Sequence, residues 1–228
     1  MTSDTFKTEE LFLLISAFGG ETVFGLPGRT LFELEGNFEE AHKNLMAKNI
    51  LNESGQITDG GALVVEALEV YQKCQNYIRL NQFLFGFSET NPENAYILIE
   101  IEENKAYRFE VLDKVFVLAL LRNHFPLLRR EISEEETTFL TKKLTFDERK
   151  RAAEAVPDER FLSMEFFRTK EIPREESNPK FYQQFFVFVW HERLIAVDVE
   201  QNEYYEASGY WLLGKLYEEM KFPEKEVL

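Results

Sequence analysis

The sequence predicts an α+β fold, a mostly antiparallel central sheet with flanking helices, and three observations predict it. Residues 7–75 place apolar side chains at helical spacing, whereas from Tyr77 onward the spacing switches to the two-residue alternation of strands. The strand-like stretches are joined by short polar turns of the hairpin kind. Finally, one strand–turn–strand–helix unit is written twice, since Ile97-Leu-Ile-Glu-Ile-Glu-Glu-Asn-Lys-Ala-Tyr107 reappears without gaps as Ile195-Ala-Val-Asp-Val-Glu-Gln-Asn-Glu-Tyr-Tyr205. The repeat predicts two quasi-two-fold-related halves within a single domain spanning 1–228. The first half covers 1–126, with a helical module at 1–75 and a strand–helix unit at 76–126. The second covers 127–228, with helices at 127–157 and a strand–helix unit at 158–228.

At 228 residues, 44% apolar and with 22 Phe, the chain can bury a substantial core. Taken in order, residues 7–18 read as a helix with Leu11, Phe12, Leu14, Ile15 and Phe18 on one face, stopped by Gly19-Gly20. Residues 30–39 can open a short helix, and 38–48 carry Ala41, Leu45 and Met46 at helical spacing. Beyond a turn at Gly60-Gly61, residues 62–75 form a further helix with Leu63, Val64, Ala67, Leu68 and Tyr71 on a shared face. This sequence of elements has the pattern of a small winged-helix-like module. Strands follow at 77–87, at 96–102 and at 105–110. The first repeat helix, 111–125, is expected to bury Val115, Phe116, Leu118, Ala119 and Phe125.

Ser133-Glu-Glu-Glu136 and Thr145-Phe-Asp-Glu148 match the capping box and predict helices near 134–142 and 146–155. Residues 160–168 and 181–190 read as strands around a charged loop at 169–180. Residues 194–199, a last strand from Tyr204 and the second repeat helix, 207–222, complete the second copy. The alternation places Glu100, Glu102, Asp198 and Glu200 on a solvent face.

The chemistry on offer is sparse. His42, His124 and His191 lie far apart in sequence and in no metal-ligand spacing, and neither a phosphate loop nor a nucleophile elbow occurs. The expectation is no catalytic residue, no cofactor and no metal. A net charge of −15, from 41 acids against 26 bases, repels phosphate backbones and anionic lipid, so no nucleic-acid partner is expected. A basic concentration from Arg122 to Arg151 can mark a binding face, with solvated helix flanks among matching acids as the favoured reading. The apolar runs are too short for membrane insertion, and one cysteine, Cys74, with no visible leader suits the cytoplasm.

Order of elements, together with Leu11-Phe-Leu-Leu-Ile-Ser-Ala-Phe-Gly-Gly20 and Leu45-Met-Ala-Lys-Asn-Ile-Leu51 running into Gly55-Gln-Ile-Thr58, resembles the EspG family of cytosolic chaperones encoded with ESX (type VII) secretion systems. The resemblance implies a non-catalytic chaperone or adaptor whose partner is a protein client, a secreted helical substrate kept soluble before export. The chain is shorter than typical members and richer in Phe and Lys, so that client would differ from the PE/PPE proteins. The aromatic density of the second half marks Tyr204, Tyr210, Trp211 and Tyr217 as the expected partner-binding residues, with residues 88–94 as a second contact. A winged-helix transcriptional regulator would need a basic face, yet residues 62–71 offer Glu66 and Glu69 and no base. A small-ligand-binding or catalytic α+β domain would need a deep polar pocket. The oligomeric state is left open.

Overall fold

The computed structural model describes residues 5–28, 37–155, 160–169 and 181–222. Within them the chain runs β1 (Thr5–Lys7), α1 (Thr8–Ala17), α2 (Phe38–Ala47), α3 (Asp59–Gln72), β2 (Asn76–Leu80), β3 (Phe83–Phe87), β4 (Asn94–Glu102), β5 (Ala106–Asp113) and α4 (Lys114–His124). It continues through two 3₁₀ turns (Pro126–Arg129 and Glu135–Thr138) to β6 (Thr141–Lys143), α5 (Phe146–Ala153), β7 (Phe161–Arg168), β8 (Phe181–Trp190), β9 (Arg193–Asp198), β10 (Glu203–Ala207) and α6 (Gly209–Met220). The ten strands make one antiparallel sheet in the order β1-β5-β4-β3-β2-β7-β8-β9-β10-β6, the α+β class that the sequence predicts. That order repeats a connectivity. A three-residue strand, one or more helices, a four-strand meander and a closing helix occur twice, and each short strand pairs with the last strand of its own meander. The repeated unit is therefore larger than the strand–turn–strand–helix segment visible in the sequence.

By packing, the described residues fall into two compact units. One draws on Met1–Tyr77, Gln82–Leu112 and Arg168–Lys180, the other on Ile78–Asn81, Asp113–Phe167 and Phe181–Leu228. In the first unit, α1 buries Leu11, Phe12, Leu14 and Ile15, while α3 buries Leu68 and Tyr71. All five residues of β3 and Ala95–Ile99 of β4 are buried, so these strands are covered on both faces. Tyr71 donates from its hydroxyl to the Phe24 carbonyl (2.9 Å), and Tyr77 donates to the Tyr71 carbonyl (2.7 Å), pinning α3 against the sheet. Close approach there requires Gly86, where a Cβ would lie 2.7 Å from the Tyr71 ring.

In the second unit, β8 and β9 pair in register around a two-residue turn in which His191 and Glu192 both have positive φ (49° and 62°), the geometry of a type I′ hairpin. Helix α5 packs Ala152 into a cluster with Leu144, Phe188 and Ile195. Its N-terminus carries the expected capping box, the Glu148 N–H donating to the Thr145 hydroxyl and the Thr145 N–H to the Glu148 carboxylate.

Several expectations need correction. The sequence gives no hint of β1 or β6. A continuous helix at 134–142 does not form. Glu136, expected to cap it, still accepts from the Ser133 N–H (3.2 Å) but spends its other bonds on Arg130 and Gly209, so one 3₁₀ turn gives way to β6. Gly60-Gly61 is no turn but the first turn of α3, with a Cβ at Gly61 placed 2.3 Å from the Ile50 carbonyl oxygen. Val115 and Phe116 are not core residues, being 60% and 58% exposed. Asp198 is buried rather than on a solvent face. Near the hairpin tips the carboxylates fold back to accept turn N–H groups, Glu100 from Asn104 (2.8 Å) and Asp198 from Gln201 (3.0 Å). Their neighbours Ile101 and Val199 are exposed. The short helix expected at 30–39 and the charged loop at 169–180 lie largely outside the described residues.

Candidate functional site

Among the described residues, an apolar concavity lies in the first unit between α3, β5 and β1. Thr58 caps α3 by accepting from the Gly61 N–H (3.0 Å) and fixes the helix start. Leu63 and Val64 then form one wall, Phe109 and Val111 of β5 with Phe6 of β1 form the floor, and Ile50 closes an end, around a groove of about 390 Å³. Leu63 is 63% exposed at its rim. The base at the groove, Lys48, is already engaged: its ammonium pairs with the buried Glu10 carboxylate, donates to the Thr5 carbonyl (2.6 Å) and sits 4.9 Å from the centre of the Phe6 ring. Among the described residues that line it, the side chains are mainly apolar, so the groove offers contact area.

Leu63, Val64, Ala67, Leu68 and Tyr71 share one face in the sequence, and their spacing alone does not mark which of them line a groove. Leu68 and Tyr71 take the core side, which leaves Leu63 and Val64 to line the groove.

The four aromatics expected to bind a partner divide between exposed and half-buried positions. Tyr210 and Tyr217 occupy one outward stripe of α6, 51% and 46% exposed, and Tyr217 packs on Phe222 with ring centres 4.9 Å apart. Tyr210 stands beside Phe139 and Leu140 over a shallow depression. Trp211 turns inward, edge-on to Phe185 (5.2 Å), and Tyr204 packs against the Leu144–Phe188–Ile195 cluster beneath the Arg149 guanidinium (5.4 Å). In the 88–94 loop, Asn91 donates to the Tyr96 hydroxyl (3.0 Å).

The ionisable groups that depart from their usual range serve the scaffold. Burial pushes the Cys74 thiol up to about 12, the behaviour of an inert core residue. Burial raises the Glu136 carboxyl, but Arg130 and the Gly209 and Ser133 N–H groups outweigh it and leave it below the ordinary carboxylate range. Hydrogen bonds from Thr145, then Arg193, bring Glu148 down to about 2. Among the described residues, no group of three or more His, Cys, Asp or Glu side chains could hold a metal ion, and no helix is long and apolar enough to cross a membrane.

With this geometry in view, comparison with known proteins places the chain. The family described as "Domain of unknown function (DUF5081)" matches residues 1–227. The chain belongs to the DUF5081 family. This DUF5081 chain is also similar to the type VII secretion system protein EsaE of Staphylococcus aureus, in strains USA300 and NCTC 8325 / PS 47, at 29% identity over 137 residues in each case. That match covers 60% of the DUF5081 chain and 58% of each relative, so the chain spans somewhat over half the length of the curated relatives it matches.

Proposed function

We propose that this protein is a non-catalytic, protein-binding component of a type VII secretion system, acting in the cytoplasm as a chaperone or adaptor that holds an exported helical client before it reaches the secretion machinery. The observation that carries the reading is the similarity to the type VII secretion system protein EsaE. The open apolar groove of the first unit supports it, because a helical segment laid into such a groove buries apolar surface without any reactive group. The EspG resemblance agrees in kind. In this reading the chain is one domain of two related halves, 1–126 and 127–228. The α6 stripe of Tyr210 and Tyr217 supplies a second contact, with Trp211 holding α6 onto the sheet through Phe185, while Tyr204 contributes from the α5 side of the sheet.

An export assay tests the proposal. Removing the gene from its host should lower the amount of type VII substrate outside the cell and raise it, or its degradation, inside. The wild-type chain should restore export, and a Leu63→Glu chain should not. Normal export without the gene would overturn the reading.

A further inference from the structure

The groove of the first unit has a charge as well as a shape. Leu63 stands on the solvent side of α3, and the helical positions beside it are Asp59, four residues before, and Glu66, three residues after. Both carboxylates are exposed, and among the described residues neither has an ion-pair partner. The next acid along, Glu69, is paired with Lys73 (2.5 Å). Across the groove, Lys48 is neutralised by Glu10 and cannot balance this edge. The apolar cleft is thus bordered on its outer rim by two acids seven residues apart, about 10 Å along the helix axis.

We infer that the groove takes an amphipathic helix with an apolar face and a basic flank, carrying two Lys or Arg about two turns apart to meet Asp59 and Glu66. This rests on the protein-binding reading above and names the chemistry of the partner. An acidic-flanked helix would place like charges against the rim. A second copy of this chain, itself at −15, would bring a strongly acidic surface to the same edge.

The test uses the full chain and two synthetic 18-residue amphipathic helices of identical apolar face, one flanked by Lys at seven-residue spacing and the other by Glu, followed by fluorescence anisotropy at about 50 mM and about 300 mM salt. The Lys-flanked helix should bind about tenfold tighter at low salt, a difference that falls at high salt. Asp59→Lys/Glu66→Lys should reverse the preference, while Glu134→Lys/Glu135→Lys, an equal change in net charge on exposed residues elsewhere, should leave it intact. Leu63→Glu should remove binding of both peptides with an unchanged melting temperature, since Leu63 is mostly exposed. Equal binding of the two peptides, or equal effects of the two charge-reversed pairs, would overturn the inference. So would a dimer of the chain that Leu63→Glu dissociates, for then a second copy fills the groove. If Leu63→Glu blocks export while Asp59→Lys/Glu66→Lys exports normally, the charge inference fails and the secretion reading stands.

Discussion

Hairpin β4–β5 with helix α4 and hairpin β9–β10 with helix α6 solve the same problem with different lengths of chain. Both turns put an Asn in the left-handed region, Asn104 (φ 55°) and Asn202 (φ 52°), and both use the preceding acid, Glu100 or Asp198, to accept a turn N–H. The acid and Asn positions keep the ungapped correspondence, although β4 runs on to Glu102 while β9 stops at Asp198, and the acids accept from Asn104 and Gln201, which do not align. The correspondence then slips, because β5 runs to Asp113 whereas β10 stops at Ala207. The helices correspond instead through their caps, Asp113 with Ser208, and through their buried stripes, Val117–Leu121–Phe125 with Leu212–Leu216–Met220. Turn and stripe are constrained by backbone strain and by burial, while the strand length between them is free to change.

The largest expected effect probes where the two copies differ. Glu136 accepts a bidentate pair from Arg130 (2.7 and 2.5 Å) and the Gly209 N–H (2.6 Å) at the start of α6. Glu136→Gln would leave Arg130 poorly matched in a mostly buried site and should cost about 3–5 kcal/mol in urea unfolding. Truncating the stripes should treat the two copies alike. Leu121→Ala and Leu216→Ala each remove a fully buried side chain and should each cost about 2–5 kcal/mol, and a fully tolerated change in one would break the correspondence.

At the turns, Asn104→Ala and Asn202→Ala should each cost about 1–2 kcal/mol, with Gly restoring stability at both. Loss of a cap is the smallest mutational effect, about 1 kcal/mol for Asp113→Ala or Ser208→Ala. Acid adds a pH-dependent comparison. Glu136 and Glu148 both titrate below the unfolded carboxylate range of about 4.3. A carboxyl lowered on folding contributes its stability in full above that range and loses it as pH falls through the folded value, toward about 2 for Glu148. Melting temperature should therefore decline between about pH 5 and 2, and Glu148→Gln should flatten part of that decline.

Much of this was legible in the sequence for identifiable reasons. Long periodic segments such as Leu11–Ile15 and Phe181–Trp190 declare themselves through burial on one side or alternation. Three-residue strands do not, because Thr5-Phe-Lys7 and Thr141-Lys-Lys143 are too short to show a period. The exposed Val115 and Phe116 were hidden for the opposite reason, since α4 is apolar nearly all round and only tertiary contacts select Val117 and Leu121 as its buried side. The groove needed the fold itself. Phe6, Leu63 and Phe109 are distant in sequence and meet only once β1 has paired with β5, and the aromatic density that pointed to α6 carried no information about that meeting.

An open sheet of ten strands has two unfinished sides, and each is a template on which other chains could polymerise. Among the described residues both sides end in strands of three residues, β1 and β6. An edge so short offers few backbone groups to a stacking neighbour. Short edges of this kind work against edge-to-edge stacking in a chain rich in β-strand and Phe, and lengthening either one should be felt first as loss of solubility on storage at high concentration.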